Sequence, residues 1–395
     1  MLSASVILRS LIAQLAQKDS TFISHLYRKH LQGFSLEQAP LVIWRRLVVE
    51  YFCRLSRRAI IVIDGLDECD QLERAAILNI ISSGQNEHAV RWLIFSRFTS
   101  DIADCLLNND LVIAPYYPQE DIEAFLRYPS DEVLMSTSEQ SNTDLTKLIV
   151  RKSRGSLLWV KLVMQEIQRE KRAESIEILK SLPSALDDLY EVMLKKLERS
   201  TEDASIIRNI FTILASSLRY LSLDEFNEFV LLQVTDNPKI SDITKHLGRM
   251  TRGFVMSGSD SVRFTHRTFQ EYICSHRYQG IFSVDSGQAH STMGQTCISY
   301  LARPSFSQAI GLNRFQKLDM ALVLRNHPLL VYSASYWTEH IERATREEYY
   351  GGLNELSSLI ESQNILSAIE IAITTQGLDC IQRWIRSLSN VKEIV

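Results

Sequence analysis

An α/β segment followed by an all-α remainder is the fold class that this sequence predicts, and three observations carry it. A short β-branched run at residues 59–63 ends in Asp64-Gly65, breaking the helical spacing of the apolar residues before it. A second apolar run at 91–96 follows one helical stretch, the rhythm of parallel strands joined by a crossover helix. Beyond residue 145, apolar residues recur mainly at helical spacing.

The elements follow in order. Residues 5–17 place Ile7, Leu8, Leu11, Ile12 and Leu15 on one helical face, and 36–55 do the same with Ile43, Leu47, Val48 and Tyr51. The run at 59–63 is continuous and apolar, which predicts a strand buried on both faces, as in a parallel sheet. A helix at 71–81 leads to the strand at 91–96, and a third short run at 111–113 precedes a Pro-Tyr-Tyr-Pro break. Residues 129–144 are polar and predict a loop or linker. Leu158, Trp159, Leu162, Val163 and Ile167 then form one helical stripe, and Leu186, Leu189, Tyr190, Met193, Leu194 and Leu197 another. Two β-like runs, 254–256 and 262–264, flank Ser257-Gly258-Ser259-Asp260; a hairpin after three helices is the outline of a winged helix. The expected division is an α/β segment at 1–128, a helical domain at 145–200, a winged helix at 201–280 and a helical C-terminal region at 281–395.

Composition narrows the function classes. With 395 residues, 45% apolar and 23% charged, the chain can bury cores in two or three ordinary globular domains. A net charge of -4 supplies no basic field for nucleic acid or anionic lipid. Cys53, Cys69, Cys105, Cys274, Cys297 and Cys380 stand singly, without metal spacing, as reduced thiols do. No signal-peptide pattern opens the chain, and no apolar run approaches the roughly 20 residues that span a bilayer. A cytoplasmic protein with neither nucleic-acid nor membrane partners is the expectation.

The strongest chemical signal runs from Ile60 to Cys69, Ile-Ile-Val-Ile-Asp-Gly-Leu-Asp-Glu-Cys. A strand ending in acids places carboxylates at the carboxyl edge of a sheet, where α/β proteins bind ligands. Asp64 there is a candidate ligand for Mg²⁺, a hard cation that prefers oxygen. Asp67 or Glu68 is the candidate acid that orients an attacking water, and the sequence does not separate the two. A single acid after an apolar run would most often just solvate a turn; three in the order Asp-Gly-Leu-Asp-Glu favour a site.

This segment resembles the Walker B motif of NACHT domains, within the STAND class of signalling P-loop NTPases. Leu93-Ile94-Phe95-Ser96-Arg97 resembles the sensor 1 strand of the same family, which implies that Arg97 reaches a terminal phosphate; its planar donor fork suits phosphate oxygens. Phe98-Thr99 stand where relatives often carry Pro. Phe264-Thr265-His266-Arg267-Thr268-Phe269-Gln270-Glu271-Tyr272 resembles the pattern ending the family's winged helix, which implies a contact of His266 with the β-phosphate of ADP. Phe269, Tyr272 and Ile273 in that stretch also suit plain core packing. Gly155-Ser156-Leu157 stands where many relatives have Gly-x-Pro, and Leu182-Pro183 and the stretch from Leu329 to His340 resemble fungal-type members.

No Gly-x-x-x-x-Gly-Lys-Ser/Thr occurs in the sequence. That P-loop wraps nucleotide phosphates with backbone N–H groups and a lysine, and each charge-assisted hydrogen bond is worth roughly 1.5–3 kcal/mol. In the family it precedes the helix that 5–17 resembles, so an N-terminally truncated member is expected. The resemblance implies Mg²⁺ and ATP/ADP as cofactors, protein partners including further copies of the chain, and a nucleotide-dependent conformational switch in the intact form. The family hydrolyses ATP or GTP; the chain as written is expected to do so poorly. The alternative is a nucleotide-independent interaction scaffold built from the same domains. DNA binding by the winged helix fits poorly, since 240–247 carries few positive charges.

Overall fold

The computed structural model describes residues 4–36, 38–55, 58–69, 71–83, 90–97, 99–107, 118–127, 139–169, 175–201, 203–233, 243–307, 323, 325–344 and 353–392. The chain forms two compact units, Met1–Tyr116 and Tyr117–Val395.

The first unit is α/β. Helix α1 (Ala4–Lys18) is followed by α2 (Ser20–Leu31), which the apolar spacing alone does not announce. Its start is set by Asp19, whose carboxylate accepts the Thr21 N–H at 3.0 Å, an N-cap that satisfies a donor the helix cannot. Helix α3 (Pro40–Ile43) runs through a π-helical turn, Trp44–Val49, into α4 (Glu50–Arg54), with proline at the helix start where its missing N–H costs nothing. Strand β1 (Ala59–Asp64) pairs in parallel with β2 (Val90–Phe95), Asp64 opposite Phe95, and α5 (Gln71–Ser83) lies between them in sequence. Helix α6 (Ser100–Leu107) follows β2.

The strand β1 is buried on one face only, against expectation. Ile61 is 5% exposed, whereas Ile60 is 71% and Val62 55%. On β2, Leu93 and Phe95 are likewise about half exposed, at 48% and 53%. The reason is that the apolar faces of α1, α2, α3 and the π turn join Ile61, Ile63 and Trp92 in one cluster, while α5 and α6 join Ile63, Trp92 and Ile94 in another. All these contacts use the same alternate residues of the pleat. The run at 111–113 lies outside the described residues.

The second unit is mainly helical. Helix α7 (Pro118–Arg127) packs with α8 (Glu139–Ser153) and α9 (Leu157–Arg169), and all three belong to the unit that begins at Tyr117. The polar stretch expected as a loop is helical from Glu139 onward; Glu and Gln are good helix formers, and polarity is a poor guide to their backbone. Helix α10 (Ser175–Ser181) ends on Lys152 of α8, whose ammonium donates to the carbonyls of Leu179, Lys180 and Leu182 at 2.7–2.8 Å. The two predicted stripes are buried on α9 and on α11 (Leu186–Ser200), and the Trp159 indole donates to Pro183 O at 2.9 Å.

Next come α12 (Ala204–Ser216), α13 (Leu223–Gln233), α14 (Leu247–Met250), then the antiparallel pair β3 (Val255–Ser257) and β4 (Val262–Phe264), with Leu221 bridging to Val262. Helix α15 (Arg267–Ile273) closes this group by packing Phe269 into an aromatic cluster. The remainder is α16 (Ser286–Leu301), α17 (Leu330–Arg343), α18 (Leu353–Glu361), α19 (Asn364–Gln376) and α20 (Leu378–Lys392).

A buried polar chain joins α16 to α17. The Leu218 N–H donates to Tyr332 Oη at 3.1 Å, that hydroxyl lies 2.9 Å from His340 Nε2, and His340 Nδ1 lies 2.9 Å from His290 Nδ1. Two ring nitrogens bond only if one lacks a proton, so this geometry requires at least one neutral imidazole. Burial first, then the Arg343 charge, pushes His290 down to about 4, and burial first, then the neighbouring His290 and Arg343, holds His340 well below its ordinary value. A folded pKa below the unfolded one gives stability that is present above pH 6.5 and lost as the pH falls toward 4. Urea midpoints measured from pH 7 to pH 4.5 should therefore fall by the equivalent of up to about 3 kcal/mol, and His290→Gln should flatten that slope.

Candidate functional site

The carboxyl edge of the β1–β2 pair is built by one left-handed residue and one paired carboxylate. Gly65 follows Asp64 at φ 71°, a conformation in which a side chain would crowd the backbone, and its N–H donates to Phe95 O at 2.9 Å. That turn sends the chain into a 3-10 helix, Leu66–Glu68, with Leu66 buried beneath it. Asp67 is thereby turned back over the end of β2. Its Oδ1 accepts the Arg97 N–H at 3.0 Å and the Ser96 hydroxyl at 3.1 Å, while Arg97 Nε stands 3.4 Å from Oδ2.

Partial burial alone would raise the Asp67 carboxyl. The Arg97 N–H, the Ser96 hydroxyl, its own N–H and the Arg97 charge outweigh that and hold it below the usual range, so Asp67 is an ion at neutral pH. The turn is fixed from behind by Arg74 of α5, which donates to Asp67 O and Cys69 O at 3.1 Å each and to Asp101 at 2.6 Å. Arg74 has no local pattern in the sequence to mark it; its role exists only once β1 and α5 are placed side by side.

The structure thus brings Asp67 and Arg97 together. Asp64 sits at the same strand end with its carboxylate exposed and, among the described residues, in no hydrogen bond or ion pair. Glu68 lies on the 3-10 helix, and its side chain is outside the described residues. His266 belongs to the second unit, where it occupies the extended N-cap position of α15; burial, then the charge of Lys161, lowers its pKa. Its Nε2 is buried without a hydrogen-bond partner. Among the described residues, no group of three or more His, Cys, Asp or Glu could hold a metal unaided.

The residues at the strand edge fit a magnesium nucleotide in part. A solvent-facing carboxylate suits Mg²⁺, which normally keeps several waters and completes its shell with phosphate oxygens. The backbone cradle for the phosphates has no counterpart in the sequence motif expected for it.

A parallel strand pair with acids at its carboxyl edge, followed by a mostly helical unit, defines an α/β-plus-helical chain. Residues 2–97 match the family described as Nephrocystin 3, N-terminal. The chain is 24% identical over 374 residues to the vegetative incompatibility protein HET-E-1 of Podospora anserina, covering 86% of this chain and 27% of that protein. It is 27% identical over 186 residues to the azaphilone pigments biosynthesis cluster protein L of Monascus ruber, covering 41% of this chain and 36% of that one. No solved structure matches. The chain spans about a quarter to about a third of the length of these curated relatives. No helix among the described residues is long and apolar enough to cross a membrane.

Proposed function

We propose that the chain is part of a NACHT-type signalling protein whose intact form is a nucleotide-operated conformational switch. The observation that carries this reading is the carboxyl edge of β1 and β2, where Asp64 stands unengaged beside the Asp67–Arg97 pair. In this reading the segment around Asp64 is the Walker B motif, and α12 to α15 form the winged helix. The order of those elements, three helices and then the β3–β4 hairpin, supports it. Bound Mg²⁺ would supply Lewis-acid stabilisation of phosphate charge, with Asp64 as its protein ligand.

The other side chains have separable tasks. Asp67 positions Arg97 and, with both oxygens engaged, is poorly placed to orient water; that task falls to Glu68. Arg97 shares its guanidinium with Asp67 and would exchange part of that pairing for a phosphate oxygen. His266 offers its unpartnered Nε2 to a phosphate in the resting state, so nucleotide exchange would alter the hold on α15. Protein partners, including other copies of the chain, would read out that change.

Thermal unfolding with and without Mg·ADP tests this, on the 395-residue chain and on the chain preceded by whatever in-frame sequence lies upstream of Met1. A shift in the extended chain that disappears in Asp64→Ala and shrinks in His266→Ala is expected, with little or none in the shorter one. Equal melting with and without nucleotide in both would favour the interaction scaffold.

A further inference from the structure

We infer that the outer face of α2 docks on an anionic lipid surface. The inference stands apart from the nucleotide reading, since it uses none of the residues at the strand edge.

The whole-chain charge of -4 conceals a local one of opposite sign. Residues 1–58 hold nine Lys or Arg against three Asp or Glu, a net +6. They build α1, α2, α3, the π turn and α4, the helical layer that packs its apolar side chains against one face of the β1–β2 pair. Seven of the nine cations (Arg9, Lys18, Arg28, Arg45, Arg46, Arg54 and Arg58) are exposed. Attraction to an anionic surface is thus concentrated in this layer, although the chain as a whole is acidic.

Within the layer, α2 departs from an ordinary surface helix, whose outer face is polar. Phe22, His25 and Lys29 are buried on its inner side. Ile23, Tyr27 and Leu31 recur every fourth residue on its outer side, each more than half exposed. Ser20 and Ser24 lie beside that ridge and are too short to screen it. Arg28 borders the ridge; its guanidinium donates to Ser24 O of its own helix and, among the described residues, meets no acid. A second cationic group sits where α2 meets α4. Glu50 is approached by Lys29 at 2.5 Å, by Arg46 of the π turn at 3.2 Å and by Arg54 at 3.8 Å. Three cations against one carboxylate leave a positive excess, carried by the exposed side chains of Arg46 and Arg54.

These features fit lipid better than other polyanions. An interfacial helix sinks an apolar face to the boundary of headgroups and acyl chains, while the cations beside it meet lipid phosphates. Arginine suits that level, because its stem follows the apolar side chains and its guanidinium turns to the phosphate. Tyr27, in the middle of the ridge, combines an apolar ring with a polar hydroxyl, which favours the membrane–water boundary. With 12 residues α2 is too short to span a bilayer, so the contact is with its surface. A nucleic-acid backbone would be met by the charges alone, and Ile23 and Leu31 would gain nothing from it.

The test is co-sedimentation of the full chain with vesicles of phosphatidylcholine alone or with one-third phosphatidylserine. Binding to the anionic vesicles is expected, weakened by salt and at least tenfold tighter than to the neutral ones. Tyr27→Ser/Leu31→Ser and, separately, Arg28→Gln/Arg46→Gln should each weaken it at least tenfold while the chains melt like the parent without lipid. In a Leu31→Trp chain, tryptophan emission should move to the blue with anionic vesicles by more than the parent's does. No binding to anionic vesicles, equal binding to neutral ones, or binding that either double variant retains overturns the proposal. So does an unmoved Leu31→Trp emission in a chain that binds. Binding of duplex DNA and not of vesicles, lost in Arg28→Gln/Arg46→Gln, would give the face to nucleic acid and overturn it equally.

Discussion

Replacing Glu166 by alanine should lower the stability of the second unit by about 3–5 kcal/mol, read as a shift of its urea unfolding curve by circular dichroism. The size follows from what is left behind. Glu166 on α9 is 0% exposed, and its partners Arg252 and Lys196 are 19% and 31% exposed. Removing the carboxylate strands an arginine and a lysine next to each other with little water, so desolvation and mutual repulsion act together. Glu166→Gln should fall between the parent and the alanine variant, because the amide keeps an acceptor but loses the charge. Lys196→Met should cost much less, since its head group is partly solvated and Arg252 still neutralises the carboxylate. Were Glu166→Ala as stable as the parent, the buried cluster would carry no energetic weight.

The second large effect is expected at Phe269. Its ring stacks on Phe254 at a centroid distance of 3.9 Å and meets Tyr190, Phe211 and Phe264 edge-on at 5.3–5.6 Å. It is therefore the hub that joins α11, α12, the β3–β4 hairpin and α15. Phe269→Ala removes a fully enclosed ring and leaves a cavity whose walls are other aromatic rings, which collapse poorly; about 3–5 kcal/mol is expected. Phe269→Leu should recover a good part of that by refilling the space. Equilibrium unfolding in urea decides it, and a loss under about 1 kcal/mol for the alanine variant would show that the cluster repacks freely.

Several features were legible in the residues themselves. The β-branched run bounded by Asp-Gly announced β1. The stripes on α9 and α11 and the hairpin runs around Gly258 were equally local, because a period of 3.6 or 2 is written in neighbouring positions. Other features depend on what packs where. A continuous apolar run looks the same whether one or both faces of the strand are covered, so the exposure of Ile60 and Val62 could not be read from it. The pairing of Asp67 with Arg97 joins residues thirty positions apart and needs the parallel register of β1 and β2. Glu166 did carry a signal: it sits between Val163 and Ile167 on the buried stripe of α9, where a lone charge is costly without partners. Helix α2 could also have been found, from Asp19-Ser20-Thr21 at its start.

The wet face of the β1–β2 pair has a mechanical consequence. Among the described residues the sheet has two strands, supported from one side, where Trp44 of the π turn meets Trp92 with ring centroids 5.0 Å apart. The acidic rim at Asp64 therefore rides on strands held from one face, by the two clusters that gather Ile61, Ile63, Trp92 and Ile94. A change in how the helices of those clusters grip the strands would shift Asp64 and Arg97 together, with no alteration of either side chain.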